Sequence, residues 1–236
     1  MAVLESLFVL QPMTPLLLLA SNSPRRRQLL ALGGWMFTVD VSNTDETRLP
    51  GEAPTDYVRR LAAAKARAVL ERAHPEHIIV GADTSVVIDG DVLGKPADAA
   101  EAEVMLRRLR GRTHQVYTGI AVLRVSDGNL LTDVVVTDVP MRAYSDAELA
   151  AYILTGDPLD KAGAYGIQNP DFQPVARMDG CYASVMGLPV CSLTALLRQV
   201  GVTPRDDVHG KCQSMLQYQC PISRVLLREH KKPGEK

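Results

Sequence analysis

Apolar and polar positions divide this chain into short alternating elements. Leu16–Ala20 is an apolar run that reads as a buried strand. Ser23-Pro24 then offers an N-cap and a proline at the first helical position, and Gly33-Gly34 ends the helix. Phe37–Val41 reads as a second strand, Ser42–Pro54 as a polar loop, and a long helix is expected from about Thr55 to Arg72. The β-branched run Ile78–Ile88 reads as a buried strand pair around Asp83, turning at Asp89-Gly90. Ala97–Arg110 is expected to be helical. His114–Val125 and Asn129–Met141 alternate as strands joined at Asp127-Gly128. Ser145-x-x-Glu148 is a capping box opening a helix that stops at Gly156. A polar loop over 157–172, strand material over Val175–Met186 and a core helix from about Pro189 to Val200 complete the pattern. Hairpins mixed with helical crossovers predict an α/β fold with a mixed sheet.

Composition narrows the function. The chain has 236 residues and a net charge of −1, which argues against generic nucleic-acid or membrane-surface binding, so any basic chemistry must be local. Four cysteines without a CxxC pair fit free thiols in a reducing compartment such as the cytoplasm. Met1–Pro12 lacks a basic leader and carries Glu5, so it is a poor signal peptide, and Met13 is a second candidate start. After Thr203 the composition changes. His209, Cys212, Cys220 and His230 lie there, in a spacing that matches no standard zinc site.

Candidate chemistry begins with Asp83, a lone carboxylate inside an apolar strand run. It must be neutral, paired, or holding a cation or a water. Ser21-Asn22-Ser23-Pro24-Arg25-Arg26-Arg27 places hydroxyls and three arginines at a helix N-terminus. That is either a phosphate cradle or a solvated basic helix start. Lys65 shares the apolar helix face of Val58, Leu61, Ala62 and Val69, so its ammonium either meets a counter-charge or snorkels at the core edge. Lys95, between Gly94 and Pro96, either meets a phosphate or decorates a turn. Asp45-Glu46 is a cation-binding pair with Asp83 or a solvated acidic loop. The loop Asp160–Gln168 combines small residues with a tyrosine and an amide. It suits close approach to a base, or it is a structural loop with Lys161 in a surface ion pair.

Together the stretches LASNSPRRRQLL (19–30), DET (45–47), AAAKA (62–66), GADTSVV (81–87), GKP (94–96), GRTHQVYTGIAV (111–122), DKAGAYGIQ (160–168) and SVMGLP (184–189) resemble the Maf family of nucleoside triphosphate pyrophosphatases. The resemblance spans about residues 15–200. It implies a Maf/inosine triphosphatase-like α/β fold, with a mixed elongated sheet, flanking helices, and two lobes around a deep cleft. Residues 1–14 and 203–236 would be extensions of a domain at 15–202. The implied reaction is hydrolysis of a nucleoside triphosphate to monophosphate and pyrophosphate with a divalent cation, Mg²⁺ or Mn²⁺. Asp83 is then the general base, Ser21, Arg26, Lys65 and Lys95 contact phosphates, and Glu46 and Asp83 contact the metal. A homodimer is also implied.

One branch of the family resembles dTTP/UTP pyrophosphatases and carries Arg, Thr and Gln where this chain has Arg25, Thr84 and Gln168. A branch acting on 7-methyl-GTP tends to have Trp, Gln and Glu. The neutral amide of Gln168 suits a pyrimidine, whereas a glutamate would suit a cationic methylated purine. The rivals are a nucleotide-binding regulator of septum formation without turnover and a house-cleaning pyrophosphatase for modified purine nucleotides.

Overall fold

The computed structural model describes residues 16–41 and 43–221. The N-terminal extension to Thr14, the Met13 start and His230 lie outside the described residues. A six-stranded mixed sheet is built from β1 (Leu17–Leu19), β2 (Phe37–Val39), β3 (Ile78–Ile88), β4 (Asp91–Leu93), β5 (Thr113–Arg124) and β6 (Leu130–Pro140). Its order is β2-β1-β3-β5-β6, with β4 on β3. β1 pairs parallel with β2 and β3, because α1 (Pro24–Ala31) and α2 (Pro54–Ala68) are crossovers. The later pairs are antiparallel, β3–β4 and β5–β6 as hairpins and β3–β5 across the intervening β4 and a helix. Asp89 and Gly90, both at positive φ, make the β3–β4 turn.

Local chemistry sets the helix boundaries. Ser23 caps α1 by accepting the Arg26 N–H, with Pro24 at the first turn. α3 (Ala99–Leu109) is capped by Asp98, and the Ser145–Glu148 box opens α4 (Asp146–Leu154). α5 (Tyr182–Val185), α6 (Val190–Gln199) and α7 (Val208–Leu216) follow. Three expectations need correction. The Ile78–Ile88 run is one eleven-residue strand, its hairpin partner being only the short β4. Val175–Met186 is not a strand. Val175 makes one bridge to Met141, and Tyr182–Val185 is helical, with the Cys181 Sγ accepting the Ser184 N–H. The Thr55–Arg72 helix ends at Ala68 and finishes as a tighter turn over Leu70–Arg72.

Strand β3 organises the site. One edge pairs with β5 from Ile78 to Val87. The other pairs with β1 at Ile78–Val80 and with β4 at Val86–Ile88. Between these, the edge of β3 has no strand partner among the described residues, and Asp83 is the midpoint of that gap. Residues alternate across the sheet, so Gly81, Asp83 and Ser85 face α2 while Ala82 and Thr84 face the opposite side. Two glycines let α2 settle onto this surface. A Cβ on Gly81 would overlap the Ala62 carbonyl, and one on Gly119, the cross-strand partner of Asp83, would overlap the Val58 carbonyl.

The described part of the C-terminal segment packs on the core. Val208 and Cys212 join the main apolar cluster, and the Tyr218 hydroxyl bonds the Gly180 backbone. Cys181, Cys191 and Cys212 are free thiols. Among the described residues, no group of three or more His, Cys, Asp or Glu is placed to hold a metal, and no helix is long and apolar enough to cross a membrane.

Candidate active site

A cleft of about 500 Å³ opens at the unpaired edge of β3, a volume suited to a small-molecule ligand. The nine residues to which the family resemblance gives site roles line it: Ser21, Arg25, Arg26, Glu46, Lys65, Asp83, Thr84, Lys95 and Gln168. Arg27 does not, and it is exposed. Among the described residues the lining has five cationic side chains against three carboxylates, a local positive excess in a chain whose net charge is −1. That excess suits a polyphosphate.

On the α2 side, Asp83 and Lys65 are both buried, at 6% and 9% exposure. Lys65 Nζ donates to Asp83 Oδ1 at 2.6 Å and pairs with Glu46 Oε1 at 2.7 Å. The apolar face of α2 thus ends in a counter-charge, as a buried lysine requires. Desolvation pushes the Glu46 carboxyl up, but the Lys65 hydrogen bond and the charges of Lys65, Lys95 and Arg26 outweigh it, leaving it below the usual range. The Tyr57 hydroxyl donates to the Glu46 carbonyl at 2.7 Å and steadies this loop.

On the opposite face, Arg26 turns inward. Its Nε donates to the Gly187 carbonyl at 2.9 Å, Nη1 to Ser21 Oγ at 3.1 Å and Nη2 to Thr84 Oγ1 at 3.3 Å. Each of these acceptors is neutral, so the charge of Arg26 remains uncompensated by an ion pair among the described residues. Burial pushes its pKa down, Asp83 pulls it up and Arg25 adds to the lowering. Thr118 Oγ1 donates to the Ser184 carbonyl at 2.8 Å and lies 3.1 Å from Thr84 Oγ1. The arginine-bearing turn, β3 and the segment after α5 are thereby tied together.

The 157–168 loop forms the remaining wall. Arg25 lies 3.9 Å from Asp160, Tyr165 is buried, and Gln168 is exposed at the rim. Lys161 is buried rather than in a surface pair. Its Nζ donates to the Asp157 carbonyl, Asp157 Oδ1 and Asp160 Oδ1 at 2.6–2.8 Å, leaving its protons committed within the loop. The Tyr152 hydroxyl donates to Asp157 Oδ2 at 2.7 Å and accepts the Gly166 N–H at 2.9 Å.

The sequence reasoning missed Tyr57, Thr118 and the Gly187 carbonyl. Tyr57 carried a usable signal, since it falls four and eight residues before Leu61 and Lys65 on the same helix face. Gly187 lies 161 residues from Arg26, and no local pattern connects them. The carboxylates of Asp83 and Glu46 converge on a single point, now held by the Lys65 ammonium. Two protein carboxylates with open space beside them fit Mg²⁺ or Mn²⁺, which completes its shell with water and phosphate oxygens.

The profile of the Maf-like protein family matches residues 16–200. A dTTP/UTP pyrophosphatase of Anaeromyxobacter dehalogenans is 48% identical over 191 residues, covering 80% of this chain and 96% of that protein. One from Geobacter sulfurreducens is 47% identical over 185 residues, covering 78% and 96%. One from Myxococcus xanthus is 48% identical over 187 residues, covering 79% and 93%. Among solved structures, the Staphylococcus aureus Ham1 protein aligns over 69% of this chain and 81% of its own, with a TM-score of 0.44 and 13% identity.

Proposed function

The chain belongs to the Maf-like protein family, and on that footing we propose that it hydrolyses dTTP and UTP to the monophosphate and pyrophosphate. The observation that carries this reading is the meeting of a buried Asp83 with a positively charged cleft at the gap in the β3 edge among the described residues. The triphosphate lies along the Ser21–Arg26 turn, with Lys65 and Lys95 on its flank. Asp83 takes a proton from water as the water oxygen bonds to the α-phosphorus. The bond from the α-phosphorus to the bridging oxygen breaks, and pyrophosphate carries away the electron pair. Arg26, with no carboxylate of its own, offsets the charge that accumulates on the phosphate oxygens. Asp83 and Glu46 would hold the divalent cation, which supplies charge neutralisation at those oxygens.

Arg25, Thr84 and Gln168 select the base. Arg25 and Gln168 approach from the 157–168 side and Thr84 from the sheet, so a base between them meets neutral polar groups and one guanidinium. The working unit is residues 15–202, with 203–236 appended to it. A homodimer in a reducing compartment belongs to the same proposal, and light scattering on the purified chain tests the assembly.

The deciding experiment is a panel of dTTP, UTP, CTP, ITP and 7-methyl-GTP with Mg²⁺ or Mn²⁺, products read by phosphorus NMR. Monophosphate and pyrophosphate from dTTP and UTP are expected. Tight binding without turnover would instead indicate a regulator. A preference for 7-methyl-GTP or ITP would overturn the reading of Arg25, Thr84 and Gln168.

A further inference from the structure

Lys65 occupies an unusual position for a phosphate contact. Its Nζ sits 2.6 Å from Asp83 Oδ1 and 2.7 Å from Glu46 Oε1, between the two carboxylates that would hold the cation. An ammonium and a divalent ion cannot share that point, and even at neighbouring points they repel. The lysine stem is fixed, because it leaves α2 among buried Leu61, Ala62 and Ala66. Asp83 is fixed as well, in the middle of β3. The Glu46 side chain, 54% exposed on a loop, and the lysine head group are the parts free to move.

We propose that Lys65 is a tethered stand-in for the divalent cation. In the nucleotide-free enzyme it bonds both Asp83 and Glu46, which gives the buried carboxylate a counter-charge without metal. A triphosphate entering beside Arg26 offers the ammonium a stronger partner and draws it off the pair. The carboxylates are then open to a cation, so metal enters with or after the nucleotide and binds the free enzyme poorly. The inference rests on the reading of Asp83 and Glu46 as cation ligands and adds to it an order of binding and a competitor.

The test is Mn²⁺ binding to the full chain without nucleotide, read from the electron paramagnetic resonance of free Mn²⁺, so no turnover is involved. Lys65→Met is expected to bind Mn²⁺ about tenfold or more tightly than wild type. Lys65→Gln, which keeps a donor without the charge, guards against a folding defect in the first variant. Lys95→Met removes a cleft charge that bonds neither carboxylate and acts on Glu46 only at a distance, so its gain in affinity should be clearly smaller than that of Lys65→Met. Equal tightening by Lys95→Met would mean a general field effect and overturn the proposal. So would micromolar Mn²⁺ binding by wild type, or no gain in either Lys65 variant. Adding Glu46→Gln to Lys65→Met should abolish the gain. If the gain survives that change, the ligand reading of Glu46 is what fails, and the competition by Lys65 stands.

Discussion

His114 provides a quantitative test of how the cleft wall is built. It lies on β5 at 2% exposure, with Nε2 2.8 Å from the Tyr165 hydroxyl and no partner for Nδ1 among the described residues. Desolvation lowers its pKa from 6.5 to about 4, so it is neutral in the native protein at pH 7. An unfolded chain returns it to the ordinary value. Between pH 6.5 and 4 the unfolded state therefore binds more protons, and stability falls as pH falls through that window. Above pH 6.5 the contribution is fully present, and below about pH 4 it is exhausted. At about 1.4 kcal/mol per pH unit the whole loss is about 3 kcal/mol, of which about 2 kcal/mol has gone by pH 5. Other groups titrate over this range, so the assay is a difference. Urea unfolding of wild type and His114→Gln is measured at pH 7 and pH 5; the amide can still reach Tyr165 but does not titrate. Wild type should lose about 2 kcal/mol more than the variant over that interval. Equal losses in the two proteins would refute the claim that His114 is held buried and neutral.

Asp83→Asn should lower turnover of UTP about 10²- to 10⁴-fold while leaving Tm near the wild-type value, because Lys65 keeps Glu46 as its partner; near-full steady-state activity would remove Asp83 as the base. Gly81→Ala should destabilise by about 2 kcal/mol or more in denaturant titrations, since the methyl meets the Ala62 backbone and α2 must lift from the sheet. Tyr152→Phe leaves the buried Gly166 N–H without its acceptor, at about 1–3 kcal/mol. Its KM for dTTP should rise about tenfold with kcat little changed, and an unchanged KM would mean the loop does not depend on that hydroxyl. Ser145→Ala should cost about 1 kcal/mol in thermal unfolding through loss of the capping box, with activity unaffected.

Most elements were legible because their signals are local. The Ser23-Pro24 start, the Ser145–Glu148 box and the Asp89-Gly90 turn each lie within a few residues of what they control. Val175–Met186 misled because extended structure needs a partner strand, and beyond Val175 none is present among the described residues. The short capped turn at Tyr182–Val185 took its place, and Ser184 found its hydrogen-bond partners in Thr118 and Thr137. Lys161 misled for a related reason. Its acids are near in sequence, but its burial depends on the loop folding over Val86 and Gly94.

The identities in the chain were enough to say that Asp83 would be enclosed and to narrow Lys65 to a counter-charge or a snorkelling edge position, and the Ser21–Arg27 turn to an anion cradle or a solvated helix start. Those conclusions follow from the cost of burying charge and from the exposed N–H groups of a helix start, which hold whatever surrounds them. Which charge meets which, and that Arg26 takes the opposite face of the sheet from Lys65, came from strand order, register and the close seating of α2 on Gly81 and Gly119. These are long-range arrangements, and a one-residue slip in β3 would move Asp83 to the other face.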